Sequence, residues 1–228
     1  AAANGTTCAG LGNCASGICS AGTQNHPGLS CLSLHQNNPG LATGVRWLDS
    51  DGSGPKPKFR AYCDMDTAGG GWTLAMKIDG THHTFAYESS RWTSAATHNP
   101  DAFALDLNEA KLASYAETPL TSMLLGMRVG ATTKWITVPI KGDSLRSLIA
   151  DGKYRPTAIG RVKWKSLLAG SSLQVNCSRE GLNARVNDAY ARVRIGIIAN
   201  QQNNCDSPDS RLGFGGRGGV CGTDNNNI

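Results

Sequence analysis

The sequence predicts an α+β fold of short twisted sheets and short helices, with a long loop-rich C-terminal region. Three observations lead there. Glycine is abundant, at 28 of 228 residues, while hydrophobic residues make up 39%, a balance that suits short strands and many turns over a helical bundle. Between Phe59 and Asp64, apolar and polar residues alternate with the period of a half-buried strand. Residues 144–150 and 161–168 space their apolar side chains as short helices do.

Residues 1–30 stand apart. Cys8, Cys14 and Cys19 lie among Gly, Ala, Ser, Asn and Thr, with almost nothing to build a core, so disulfides would have to hold any shape there. Residues 24–30, carrying His26-Pro27-Gly28, read as a linker, and the main domain is expected over 31–228. Its first part is β-rich: Gly44–Leu48, a glycine-rich turn with Pro55 and Pro57, the strand ending in Tyr62-Cys63-Asp64, then Gly69-Gly70-Gly71-Trp72-Thr73-Leu74. Asn108–Tyr115 has helical spacing and an Asn that suits a cap. Lys134–Val138 reads as a strand ended by Pro139, and Arg192–Ile198 as the strongest strand of the second half. From Asn200 to Ile228 the tract is polar and glycine-rich, without a core-forming pattern.

Several function classes are set aside by composition. The formal charge of +5 is dilute and no basic run interleaves with aromatics, which excludes nucleic acid as a partner. No apolar run approaches the roughly 20 residues of a membrane helix, so insertion is not expected. Eight cysteines without zinc spacing point to disulfides and an oxidising compartment. The start at Ala1-Ala2-Ala3-Asn4 is what removal of an export signal leaves, so the chain is read as secreted or displayed at a cell surface.

The phrase Trp47, Tyr62-Cys63-Asp64, Gly69-Gly70-Gly71-Trp72-Thr73 resembles the opening of the fibrinogen-like C-terminal domain, because several rare residues fall in one order and spacing. The resemblance covers about residues 31–224 and extends to bacterial fibrinogen-related and intelectin-like lectins. It implies a secreted, non-catalytic recognition module: a lectin or adhesin that binds glycans or cell-surface carbohydrate with the help of calcium. It also implies a disulfide Cys31–Cys63. Cys177 is then expected to pair with Cys205, leaving Cys19 for Cys221 and Cys8 for Cys14.

The expected metal site is the tract around Cys205-Asp206-Ser207-Pro208-Asp209 and Cys221-Gly222-Thr223-Asp224, which is similar to the order found in intelectins. Calcium takes six to eight oxygen ligands on a pliable loop, and Asp206, Asp209 and Asp224 are the candidate carboxylates. Asn204, Asn225 and Trp92 are the candidate sugar contacts. The same tract also suits a solvated loop whose Asn and Asp make turns, and Trp47, Trp72 and Trp92 suit a core as well as a stacking platform.

Other motifs lead elsewhere. Asp49-Ser50-Asp51-Gly52-Ser53-Gly54 begins like an EF-hand loop, but its twelfth position is Arg60 where a bidentate Glu is required, so a hairpin turn is expected. Gly142-Asp143-Ser144-Leu145 has the letters of an esterase signature, yet all five histidines precede it, so Ser144 reads as a helix start. His82-His83 lacks the spacing of a zinc pair. Asn4-Gly5-Thr6 and Asn176-Cys177-Ser178 are formal glycosylation sequons.

Fibrinogen-like domains close with an apolar strand after the binding region, and none is visible before Ile228. Ile197-Ile198 and Leu212–Phe214 are apolar enough to need cover, expected from a neighbouring subunit or a separate chain fragment, and the first motivates a second function: a structural subunit of an extracellular filament, associating with copies of itself or another subunit.

Overall fold

The computed structural model describes residues 21–218, together with the backbone of β1 (Cys14–Ala15) and β2 (Ile18–Cys19), which pair antiparallel. The described residues form two compact units, one from residues 21–77 and 96–119, the other from 78–95 and 120–218.

In the first unit, α1 (Cys31–Asn37) is started by a reciprocal cap in which Ser30 and Ser33 each accept the other's backbone N–H. A three-stranded antiparallel sheet follows: β3 (Gly44–Leu48), β4 (Phe59–Asp64) and β5 (Trp72–Thr73). Cys31 and Cys63 are disulfide-bonded, tying the first turn of α1 to β4, and pack with Leu34, Leu48, Ala61 and Met65 in one core. The segment read as a linker is part of this unit: Trp47 N–H donates to Gly22 O, and Gly28 and Leu48 form a parallel bridge. Ala21 is buried in the same core.

The rest of the unit corrects one expectation. Residues 108–115 are not a helix. Instead β6 (Met76–Lys77) pairs with β7 (Ala110–Lys111), and only α2 (Ser114–Glu117) is helical. Burial of Ala110 and Leu112 with Phe103 outweighs the local helical spacing.

The second unit begins with the loop 78–95, where the Phe85 and Trp92 rings meet edge to face at 6.0 Å between centroids. A long hairpin, β8 (Leu120–Val129) and β9 (Thr132–Gly142), buries Met123, Leu125, Met127, Ile136 and Val138. Strand β9 runs through Pro139, which is exposed and lies in a two-stranded sheet where a missing N–H is tolerated. Helix α3 (Leu145–Ile149) follows, capped by Ser144, then β10 (Arg155–Pro156) and α4 (Arg161–Lys165).

Strands β10, β11 (Asn176–Ala184), β12 (Arg192–Asn200) and β13 (Ser210–Arg217) form an antiparallel sheet in that order. Every residue of β12 is buried. The tract expected to lack a core pattern thus supplies a strand, because Leu212 and the glycines beside it pack against β12. Ile197, Ile198 and Leu212, expected to need cover from outside, are buried within the chain's own unit, and Phe214 is half-buried. Cys177 and Cys205 are disulfide-bonded, holding β11 to the β12–β13 loop. By the chain-entropy account, closing a 28-residue separation constrains the unfolded chain by roughly 3–4 kcal/mol.

Candidate functional site

The expected C-terminal site is only partly within the described residues. Asp206 and Asp209 lie on the β12–β13 loop, Asp206 exposed and Asp209 half-buried. Asn204 is exposed, and its Oδ1 accepts the Asp206 N–H at 3.1 Å and the Asn200 Nδ2 at 3.1 Å. This is the local amide chemistry that makes turns. Asp224 and Asn225 lie outside the described residues, as do Cys8 and Cys221 and the side chains of Cys14 and Cys19. Among the described residues no group of three or more His, Cys, Asp or Glu side chains could hold a metal ion.

Trp92 is fully buried, and its Nε1–H donates to the carbonyls of Phe85 and Ala86, both at 3.1 Å. Its ring has no face open to a sugar, so it serves as framework of the second unit. The reason is local. Loop 78–95 has few apolar residues, and Trp92 and Phe85 are the ones it buries deepest.

Ser144 is the N-cap of α3, its Oγ accepting the Ser147 N–H at 3.0 Å and its N–H donating to Ser147 Oγ at 3.1 Å. It is buried at 5% exposure, held as a helix start in the way its flanking sequence suggests. His82 and His83 are exposed turn residues.

Among the described residues, one place with two unpartnered carboxylate oxygens is the Asp49–Gly54 turn between β3 and β4. The Asp49 N–H donates to Gly28 O at 2.8 Å, and Asp51 Oδ2 accepts the Lys56 N–H at 3.0 Å, so both residues are fixed by backbone. Yet Oδ1 of Asp49 and Oδ1 of Asp51 are each buried without a hydrogen-bond partner. A buried carboxylate oxygen with no donor or cation is costly, and two on one turn are costlier. The turn borders an open cleft of about 790 Å³ lined by Pro27, Leu29, Asp49, Lys56 and Lys58 among others. The Asp-x-Asp-x-Ser-Gly turn, with Arg60 at its twelfth position, is the hairpin connection the sequence predicts between β3 and β4 and not an EF-hand.

Residues 16–124 match the family model of the fibrillar collagen C-terminal domain. This is a different family from the fibrinogen-like one the sequence resembled. No curated protein matches the chain, and no solved structure does. The stretch similar to the collagen domain contains α1, the β3–β4–β5 sheet, the Cys31–Cys63 bond and the Asp49–Gly54 turn. The β10–β13 sheet and the Asp206–Asp209 loop lie beyond it.

Proposed function

We propose that this chain is an extracellular, non-catalytic assembly module through which subunits associate with copies of themselves. The similarity of residues 16–124 to the C-terminal domain of fibrillar collagens, chains named for forming fibres, is the observation that carries this reading. Two disulfides support an oxidising, extracellular setting. No helix among the described residues is long and apolar enough to cross a membrane.

Calcium is the proposed cofactor. Asp49 and Asp51 would hold it with carbonyl oxygens of the same turn, since the two orphaned carboxylate oxygens want a hard cation. When bound, the ion would neutralise the turn and stiffen the β3–β4 connection, a structural task. The alternative seat is the one expected from the sequence, Asp206 and Asp209, with Asp224 outside the described residues.

Light scattering of the purified chain in EDTA and in millimolar calcium tests both parts. An oligomer is expected at micromolar concentration. A monomer under all conditions overturns the assembly reading. Calcium at about 100-fold over Kd should add about 2.7 kcal/mol of stability. Loss of that gain in D49N/D51N but not in D206N/D209N assigns the turn. The reverse assigns the C-terminal loop, and no gain in the unaltered chain removes calcium.

A further inference from the structure

One aromatic side chain is placed unlike the others. Trp135 on β9 lies directly opposite Gly126 on β8. A Cβ built on Gly126 would lie 2.3, 2.5 and 2.8 Å from Cζ3, Cε3 and Cη2 of the Trp135 ring. Three adjacent ring carbons so near one point put that point over the ring and not beyond its edge. One face of the indole therefore rests on the glycine backbone. Trp135 is nevertheless 38% exposed, so the opposite face is turned to water. Trp92 and Trp164, by contrast, are fully buried with their Nε1–H groups hydrogen-bonded.

The surroundings of that open face are polar. Strand alternation puts Thr133 and Thr137 on the same side of β9, with Arg128 and Leu124 opposite them on β8. Leu124 is the one apolar neighbour in that set, which is too little for the apolar surround that shields a protein–protein hot spot from water. Charge is one-sided. On this face the cation is Arg128, opposite Thr133, while Lys134 alternates onto the other face with Ile136 and Val138, and residues 120–142 carry no Asp or Glu.

We propose that this hairpin face binds an acidic polysaccharide, with the open indole face stacking on the C–H face of a uronic-acid ring. Arg128 pairs with its carboxylates, and Thr133 and Thr137 offer hydroxyls at the ring's edge. The site is independent of subunit association and of calcium.

Affinity electrophoresis of the full chain through gels containing polygalacturonate or neutral dextran tests it. Retardation by polygalacturonate and not by dextran is expected, weakening as salt rises from about 0.05 to 0.5 M. W135A should lose at least about tenfold in affinity, and R128Q should lose affinity together with much of the salt dependence. Should W135A not fold, W135F, whose smaller ring still covers Gly126, decides the matter with a several-fold loss. The proposal is overturned if polygalacturonate leaves the unaltered chain's mobility unchanged, if dextran retards it equally, or if the Trp135 variants bind as the unaltered chain does. It is also overturned if W135A dissociates an oligomer while no polysaccharide binds, which would give the face to a second copy.

Discussion

Gly196 lies directly opposite Gly213 across β12 and β13, and neither position has room for a side chain. A Cβ on Gly196 would sit 2.2 Å from Leu212 O, and one on Gly213 would sit 2.1 Å from Ile195 O. The row continues to β11, where Gly181 faces Gly196. Their φ angles of +158° and +149° at Gly196 and Gly213 belong to backbone that side-chain-bearing residues rarely adopt. Gly213, one of the glycines that made the C-terminal tract look like a loop, together with Gly196 lets the two strands approach there.

G196A and G213A should each destabilise the fold by about 3 kcal/mol, combining backbone strain with overpacking. Urea unfolding followed by far-UV circular dichroism checks this. A midpoint unchanged in both variants would show that the sheet does not need the close approach.

Glu88 neutralises a second cross-strand pair. Arg192 and Arg217 face each other across β12 and β13, and Glu88 accepts from Arg192 Nε at 3.0 Å and from Arg217 Nη1 at 3.0 Å. Partial burial pushes the Glu88 carboxyl up, but hydrogen bonds from the two guanidiniums outweigh it and leave it below its ordinary value of 4.5. A depressed folded value means the contribution is complete above pH 4.5 and is lost as pH falls through the folded value. E88Q should therefore be less stable than the unaltered chain at pH 7, with the gap closing as pH falls below 4.5 through the lowered folded value. Thermal melts across that range check it, and a gap that does not change with pH removes the carboxylate from the account.

Glu180 acts differently, as a buried anchor. Its carboxylate accepts from Thr157 Oγ1 at 2.9 Å, Gly160 N at 2.9 Å, Ile159 N at 3.2 Å and Trp164 Nε1 at 2.7 Å. It thereby seats the start of α4 and the buried Trp164 against β11. E180A would strand these donors at a cost of about 3 kcal/mol or more. A loss below about 1 kcal/mol in urea unfolding would mean that other acceptors replace it.

What the sequence determined by itself was local or marked by rare residues. Strands β3, β4 and β12, helices α3 and α4, and the Ser144 cap were legible because alternation, helical spacing and capping residues act over a few positions. The Cys31–Cys63 bond was legible through the company of Trp47, Cys63 and the triple glycine. Tertiary structure decided the rest. Ala110 and Lys111 became a strand because β6 offered a partner, against a helical spacing worth only tenths of a kcal/mol per residue. Strand β13 exists because Gly181, Gly196 and Gly213 fall in register, a coincidence of three distant positions that no local window contains. The orphaned oxygens of Asp49 and Asp51 and the open face of Trp135 were equally hidden. Burial and exposure are set by which surfaces meet, and that is decided only when the whole chain has folded.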